Sequence, residues 1–229
     1  MCAATDLPEI ILDEYGIRTI VTRGAWKENC YLVRELRSGE QAVIDPGDGV
    51  YATIEAVLSH GGPLRYIWLT HAHHDHVYSA GDLCRRFGIV CDLHEDDVRL
   101  LHHAPMYALR FANKKIEAPK SFRTFNTNAT FELGGRTVGV IHVPGHTSGS
   151  VGYDFGDFVF SGDTLMYEHI GRTDLPGADE SRLRESVSRL LESLREAAVL
   201  FPGHGRAWTV REARTWWHDE NASVVDNRT

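Results

Sequence analysis

The fold is decided by the stretch Thr70-His71-Ala72-His73-His74-Asp75-His76, which directly follows the apolar run Tyr66-Ile67-Trp68-Leu69. The apolar run is typical of a buried strand, and the stretch after it is typical of a polar loop. In an extended loop, side chains two residues apart point the same way, so His71 and His73 can converge on one point. On a helix those two side chains would diverge by roughly 200°. We therefore predict a metal-binding loop at the end of a strand.

Two further residues of this stretch, Asp75 and His76, are neighbours and must point in different directions, which suits a second, adjacent metal centre. Imidazole and carboxylate groups are ligands suited to Zn, Fe or Mn. The alternative is an ordinary solvated loop. Five ionisable ligand types within the six positions 71–76, directly after a strand, favour the metal site.

Three further apolar runs end in a glycine-containing loop that carries a histidine or an aspartate. They are Thr137–His142 before Pro144-Gly145-His146, Phe158–Phe160 before Ser161-Gly162-Asp163, and Val199–Phe201 before Pro202-Gly203-His204. Open sheets bind ligands at the carboxyl ends of their strands, and glycine lets the backbone pass close to an ion. Four such strand ends predict one shared site.

Together these residues resemble the metal-ligand set of the metallo-β-lactamase superfamily, in the branch that includes glyoxalase II. The resemblance covers nearly the whole chain and extends to three further motifs: Asn29-Cys30-Tyr31, Ile44-Asp45-Pro46-Gly47 and Gly171-Arg172-Thr173-Asp174-Leu175-Pro176. It implies that one metal takes His71, His73 and His146. It implies that the other takes Asp75, His76 and His204, with Asp163 bridging the two.

The order of predicted elements agrees with the α/β fold that the resemblance implies, a four-layer αββα sandwich. The length suits a single domain over residues 1–229. The first half predicts strands and helices at Ile17–Arg23, Asn29–Arg34, Gln41–Ile44, Tyr51–Ser59, Tyr66–Leu69, a helix from Ser79 to Gly88, and Ile89–Leu93. The second half predicts antiparallel strands at Thr130–Leu133, Arg136–His142, Ser150–Phe155 and Phe158–Ser161, then helices at Glu180–Ala197 and Val210–His218. Between the halves, residues 95–125 predict a helix followed by a lid over the site.

Composition narrows the function classes. The formal charge of −8 argues against a large nucleic-acid or anionic-membrane surface. No run is long and apolar enough for a membrane span, and the first residues lack the basic start and apolar run of a signal peptide. We therefore expect a cytoplasmic protein. Its four cysteines, Cys2, Cys30, Cys84 and Cys91, show neither a Cys-x-x-Cys pair nor a secreted disulfide pattern, and we assign catalysis to none of them.

Ligand counting predicts the chemistry. Seven candidate ligands exceed what one catalytic four-coordinate Zn²⁺ uses, so we expect two Zn²⁺, with Fe or Mn as alternatives at one or both positions. Two ions about 3.5–4 Å apart accommodate all seven ligands if Asp163 bridges them, and bound water then ionises near pH 7. A metal-bound hydroxide suits attack on a carbonyl. We name Asp75 and Asp163 as the catalytic carboxylates of such a hydrolase.

A small-molecule acyl thioester is the expected substrate, because thiolate is a good leaving group. Enzymes like glyoxalase II cleave the thioester of S-D-lactoylglutathione, so the substrate of this chain is expected to be glutathione-linked or related. Arg172 stands where that family places a basic residue near a glutathione carboxylate; its alternative is an ion pair with Asp174. Tyr167 and His169 lie in the same loop, and Tyr78 stands where relatives often carry a Gly-Gly pair, so all three are candidates for the pocket.

Other functions remain open. The chain ends 25 residues after His204, so it resembles the shorter, single-domain branch without the helical domain that contacts glutathione. An iron oxygenase resembling persulfide dioxygenases is the main alternative, with His71, His146 and Asp163 on one Fe(II). A lactone or β-lactam hydrolase and a non-catalytic binding protein are further alternatives. The protein is expected to be a monomer or a homodimer.

The remaining histidines are assigned no metal. We expect His74 to point away from the metals and His142 to be a hydrogen-bonded core histidine or a support for a ligand. The others are expected on the surface or at helix caps: His60, His94, His102, His103 and His218.

Overall fold

Short strands and amphipathic helices alternate along the chain. A computed structural model describes residues 5–22, 26–58 and 61–226. Its strands are β1 Thr5–Asp6, β2 Ile10–Leu12, β3 Tyr15–Val21, β4 Asn29–Glu35, β5 Gln41–Ile44, β6 Leu64–Trp68, β7 Cys91–His94, β8 Phe122–Phe125, β9 Thr130–Leu133, β10 Arg136–His142, β11 Val151–Asp154, β12 Phe158–Gly162, β13 Leu165–Met166, β14 His169–Ile170, β15 Val199–Pro202 and β16 Trp208–Thr209. Its helices are α1 Tyr51–Leu58, α2 His74–Val77, α3 Ala80–Phe87, α4 Val98–Ala112, α5 Glu180–Ser193 and α6 Val210–Asp226.

Most strands belong to two mixed sheets. The first has the order β1-β3-β4-β5-β6-β7-β8, with β2 also on β3; β5 to β8 run parallel, and the other pairs are antiparallel. The second has the order β16-β15-β12-β11-β10-β9, in which the β12–β15 pair is parallel and the others are antiparallel. The predicted β-α-β-α-β order is thus present as β5-α1-β6-α3-β7, with α2 lying between β6 and α3.

Alternating side chains send every second residue of a strand to the opposite face of its sheet. On β4, Tyr31 and Val33 pack into a core between the two sheets, whereas Cys30 and Leu32 pack against helices on the outer face. Helices α1, α3 and α4 cover the first sheet, and α5 and α6 cover the second. Four layers follow, and the predicted αββα sandwich is confirmed.

The carboxyl ends of β6, β10, β12 and β15 lead into loops along one edge of the sandwich. Two backbone hydrogen bonds join loops of one sheet to strands of the other at this edge. The amide of Val151 donates to the Thr70 carbonyl at 2.8 Å, and the amide of Asn29 donates to the Gly203 carbonyl at 2.7 Å. These bonds fix the two sheets relative to each other where the predicted ligands emerge.

Several predicted bounds are corrected. Residues 74–77, expected in a loop, form the helical turn α2. Helix α5 ends at Ser193 because Leu194 is already extended, and α6 continues past His218 to Asp226. Gly88 closes α3 in the left-handed conformation, as predicted (φ 68°), but the Ser79 hydroxyl donates to the Gly47 carbonyl instead of capping the helix.

Some predictions cannot be compared with the fold. The strand end at Arg23, the helix end at Ser59, and the residues Cys2 and His60 lie outside the described residues. Within the described ranges, no helix combines the length and the apolar character that crossing a membrane requires.

Candidate metal centre

The loop after β6 brings the first three predicted ligands together. The rings of His71 and His73 lie 4.8 Å apart between centroids, and the ring of His146 lies 4.9 Å from the first and 4.6 Å from the second. His73 Nδ1 is 2.9 Å from His146 Nε2. One ligand atom from each of the three residues therefore fits within 4.8 Å of the others.

A second group of three forms beside the first. The turn of α2 directs Asp75 and His76 toward His204, which enters from the loop after β15. His76 Nε2 lies 3.3 Å from His204 Nε2, and Asp75 Oδ2 lies 3.6 Å from His204 Nε2. These three residues also offer ligand atoms within 4.8 Å of one another.

Asp163 lies between the two groups. Its Oδ1 is 3.5 Å from His76 Nε2, and its Oδ2 is 3.5 Å from His146 Nε2 and 3.4 Å from His204 Nε2. Gly203 makes room for this carboxylate, because a Cβ at that position would lie 2.1 Å from Asp163 Oδ1. The carboxylate has the position from which it could bridge two cations.

Hydrogen bonds at the far side of two rings fix which nitrogen carries the proton. His146 Nδ1 lies 2.9 Å from the Arg172 carbonyl, and His204 Nδ1 lies 2.8 Å from the Trp26 carbonyl. A carbonyl oxygen only accepts, so each Nδ1 must be the N–H donor. In the neutral imidazole, Nε2 then presents a bare lone pair to the cluster.

Asp45 orients the rings of His76 and His71 in the same way, with Nδ1 as the donor and Nε2 facing the cluster. His76 Nδ1 lies 3.0 Å from Asp45 Oδ2, and the Thr70 hydroxyl donates to that oxygen at 2.6 Å. Because the Thr70 proton is used in this way, its oxygen accepts from His71 Nδ1 at 3.0 Å. Both rings therefore turn Nε2 inward as well. The Asp-Pro-Gly motif after β5 was the sequence signal for Asp45, although no role was assigned to it.

The chemistry of this donor set fits divalent cations. His71 Nε2 and Asp163 Oδ1 are buried and have no hydrogen-bond partner among the described residues. Burial, helped by the neighbouring His76, lowers the pKa of His71 well below its usual value, so this ring is a neutral donor. Burial opposes ionisation of Asp163, yet the facing rings of His204 and His76 hold its pKa well below the usual range. Neutral histidine nitrogens that face the ionised Asp163 carboxylate form a donor set that a bound cation would satisfy.

A buried carboxylate that sequence reasoning missed joins the two ligand loops. Asp97 Oδ2 accepts from the Ala72 amide at 2.8 Å and from the Thr147 hydroxyl at 2.9 Å, and its Oδ1 accepts from the Gly149 amide at 2.8 Å. The loop of His71 and His73 is thereby tied to the loop of His146. Glu28 is a second missed carboxyl; it is fully buried near the site, and burial raises its pKa well above the usual value.

A cavity of about 570 Å³ opens onto this cluster. Ligands of both groups line it, together with Arg172, His169 and an apolar wall. The wall consists of Trp26, Leu100, Tyr107, Phe111, Met166, Ile170, Leu175 and Pro176. Arg172 also forms a bidentate pair with Asp174, with both N–O distances 2.7 Å. The ion pair with Asp174 is thus present, and contact of Arg172 with a substrate carboxylate stays a prediction.

Residues 23–204, which contain all seven predicted ligands, match the family model of the metallo-β-lactamase superfamily. The chain belongs to this superfamily. The hydroxyacylglutathione hydrolase GloC of Haemophilus influenzae is 32% identical over 199 residues, which cover 85% of this chain and 93% of that protein. The resemblance inferred from the motifs is confirmed, and the coarse function is that of a metal-binding hydrolase of this superfamily.

Two solved structures are also similar to this chain. TTHA1623, determined in a di-iron-bound form, is 35% identical with a TM-score of 0.75; the match covers 85% of this chain and 96% of that chain. The B3 metallo-β-lactamase BLEG-1 is 28% identical with a TM-score of 0.76, and the match covers 87% of this chain and 96% of that chain. Iron is thus held by one similar protein.

Two tyrosines predicted for the pocket lie elsewhere. The ring of Tyr78, which ends α2, is covered by Lys114, whose Nζ lies 5.3 Å from the ring centroid. The ring of Tyr167 packs under the Arg206 guanidinium and against Trp208. Neither tyrosine lines the cavity. They are therefore not part of the cavity lining that was expected of them, and their contact with substrate stays a prediction.

Other histidines were assigned no metal. His74 belongs to neither ligand group, although it is mostly buried and lines the cavity, so its direction away from the metals stays a prediction. His94 is buried and stacks on His142, with centroids 4.3 Å apart and planes 9° apart, so the expected surface position is wrong. His142 Nε2 donates to the Ser148 carbonyl at 2.9 Å and supports the loop that carries His146, as its predicted supporting role requires.

Proposed function

We propose that the protein is a dinuclear metal-dependent thioester hydrolase of the glyoxalase II type. Its substrate would be S-D-lactoylglutathione or a related acyl thioester. The observation that carries the proposal is the convergence of three Nε2 atoms, those of His76, His146 and His204, on the Asp163 carboxylate. Each of these rings is oriented by a hydrogen bond at Nδ1. The similarity to the hydroxyacylglutathione hydrolase of H. influenzae supports the substrate class.

Two groups of side chains would hold the metals, with Asp163 between them. The first consists of His71, His73 and His146, and the second of Asp75, His76 and His204. When bound, such divalent ions lower the pKa of water and polarise a carbonyl oxygen. Two Zn²⁺ remain the proposed pair, with Fe or Mn as alternatives; the di-iron form of TTHA1623 keeps iron in consideration.

The two aspartates have distinct proposed tasks. Asp163 contacts His146 of the first group and His76 of the second, and its proposed task is to bridge the two groups. Asp75 turns Oδ2 toward His204, while its Oδ1 faces His74 Nδ1 at 3.7 Å. A carboxylate oxygen in that position can orient water and accept its proton. The buried Asp45 and Asp97 act only through the ligands and loops that they position.

Recognition of the thiol carrier is proposed at Arg172 and His169. Both residues line the cavity, and a guanidinium binds a carboxylate in a bidentate manner. A thiol carrier with a carboxylate, such as glutathione, would compete there with Asp174 for Arg172. The thiolate released on hydrolysis is a good leaving group, so the cavity need not supply a strong acid at the sulfur.

Two measurements test this function together: thiol release from S-lactoylglutathione, and the metal content of the same preparation. We expect thiol release that depends on bound metal and is lost in Asp163→Ala. Asp157→Ala, which removes an exposed, ion-paired side chain, serves as the control.

Oxygen uptake with glutathione persulfide and a single iron would favour the oxygenase instead. Opening of a β-lactam without thioester cleavage would favour the chemistry of BLEG-1. If the metal-loaded protein shows none of these three activities, a non-catalytic binding protein is favoured.

We further propose that the chain is one domain that works in the cytoplasm. Each sheet contributes to the core between the sheets and to one outer core, so the layers share their stabilisation. Cys30, Cys84 and Cys91 are free thiols, as a reducing compartment favours.

A further inference from the structure

Four aromatic rings form a continuous wall along one side of the cavity. The Trp26 ring meets the His74 ring edge-on at 6.1 Å between centroids, and the His74 ring lies 6.2 Å from Phe111. Phe111 stacks on Tyr107, one turn earlier in α4, at 5.9 Å and 14°. We call Trp26, His74, Phe111 and Tyr107 the aromatic wall; all four residues line the cavity.

The aromatic wall lies beside the ligand group of Asp75, His76 and His204. The Trp26 carbonyl accepts from His204 Nδ1, and His74 lies in the chain next to Asp75. The Arg172 carbonyl accepts from His146 Nδ1 in the other ligand group, and Arg172 lines the same cavity. A substrate in this cavity therefore meets both a guanidinium and flat aromatic surfaces.

The aromatic wall offers apolar surface to a ligand. Phe111 is 47% exposed and Trp26 is 39% exposed, which is high for large apolar side chains beside a buried cluster. His74 adds a ring whose Nε2 is buried and has no hydrogen-bond partner among the described residues. Concave sites with aromatic linings and few polar groups are typical binding sites for apolar parts of small molecules. A lactoyl group is too short to cover four rings.

We propose that the aromatic wall binds the acyl part of the thioester and selects a long aliphatic or an aromatic acyl group over lactoyl. This inference rests on the proposed function, which directs the carboxylated thiol carrier to Arg172. Hydrolysis forms a bond between the water oxygen and the acyl carbon and breaks the bond from that carbon to sulfur. The thiolate leaves with the electron pair, and a proton from water ends on the thiol or in solvent.

Thioether analogues test the aromatic wall without any turnover. We would titrate the purified metal-containing protein with S-hexylglutathione and S-methylglutathione by calorimetry. Each buried methylene strengthens binding roughly threefold to fourfold, so the hexyl compound should bind at least about tenfold more tightly. Phe111→Ala should reduce that ratio several-fold. Leu109→Ala, in the same helix, 52% exposed and outside the cavity lining, is the matched control and should leave the ratio unchanged.

Hydrolysis of lactoyl-, butyryl- and hexanoylglutathione, followed by thiol release, gives the second readout. We expect kcat/KM to rise with acyl length and this rise to flatten in Phe111→Ala. Equal binding of the two thioethers, or equal effects of Phe111→Ala and Leu109→Ala on their ratio, would overturn the inference. Cleavage of all three thioesters at one kcat/KM would also overturn it but would leave the proposed function standing. Tight binding of the hexyl compound with no thiol release would instead support the apolar site and refute the hydrolase.

Discussion

His76 Nδ1 lies 3.0 Å from Asp45 Oδ2, and both side chains are almost completely buried. Asp45 directly follows β5, and His76 lies in α2 after β6, 31 positions later. Burial alone would lower the pKa of His76, but Asp163 and Asp75, with the hydrogen bond to Asp45, raise it well above the usual value. The second nitrogen of this ring therefore faces the cluster in an environment arranged for a cation, either a proton or a metal.

Asp45→Asn should weaken metal binding while preserving the fold. The amide keeps the size of the side chain but removes the charge that orients His76 and, through Thr70, His71. Loss of such a supporting contact costs about 10–100-fold in metal affinity or activity. Competition with a chromophoric chelator measures the affinity. Asp157→Asn, which alters only an exposed ion pair, is the control, and equal affinities of the two variants would contradict the role of Asp45.

Gly203→Ala should damage the site through a steric clash. The new Cβ would lie 2.1 Å from Asp163 Oδ1 and 2.8 Å from His76 Cε1, so the carboxylate must move. A displacement of about 1 Å at a reacting site can cost about a hundredfold in rate. Gly139→Ala, on β10, is the control, because its Cβ would make an ordinary 3.5 Å contact with Asp154 Cβ. A Gly203→Ala enzyme with unchanged kcat and metal content would show that Asp163 tolerates displacement.

Asp97→Ala should lower the free energy of unfolding by about 3 kcal/mol, since buried donors are left without acceptors. The donors are the Ala72 and Gly149 amides and the Thr147 hydroxyl. Urea unfolding of the variant and of wild type measures the difference. The neighbouring side chain of Asp96 is 55% exposed, so Asp96→Ala should stay within about 0.5 kcal/mol of wild type. Similar losses in the two variants would contradict the bridging role of Asp97.

Arg172→Ala should raise KM for S-lactoylglutathione about tenfold or more, because a charge-assisted contact to carboxylate is lost. A thioester of N-acetylcysteamine, which has no carboxylate, should be affected much less. Asp174→Ala should have the opposite effect on KM for the glutathione thioester, because it frees the guanidinium. Steady-state kinetics on both substrates provide the measurement. Equal changes for both thioesters in Arg172→Ala would mean that Arg172 does not contact the thiol carrier.

The ligand cluster could be anticipated from sequence because it depends on local patterns. His71 and His73 alternate in an extended loop, and His146, Asp163 and His204 each follow a strand in a glycine-containing loop. Parallel and antiparallel pairing then brings those strand ends to one edge. The seven side chains do lie together, and their service as metal ligands stays a prediction.

Contacts between distant segments could not be anticipated in the same way. Tyr107 and Phe111 have helical spacing, but nothing in the pattern places Trp26 beside His74, since that requires the fold of both sheets. Asp97 was missed because its three donors come from loops up to 52 positions away. Tyr78 was expected in an extended loop at the pocket, whereas it ends the helical turn α2 and is not part of the cavity lining.

Metal stoichiometry tests the central claim most directly. Elemental analysis of the purified, metal-reconstituted protein should give about two divalent ions per chain, in keeping with a dinuclear site. His146→Ala and His204→Ala, each of which removes a ligand from a different group, should each retain about one. A wild-type protein that remains metal-free after reconstitution, or variants that keep the wild-type metal content, would contradict the claim that these side chains hold two cations.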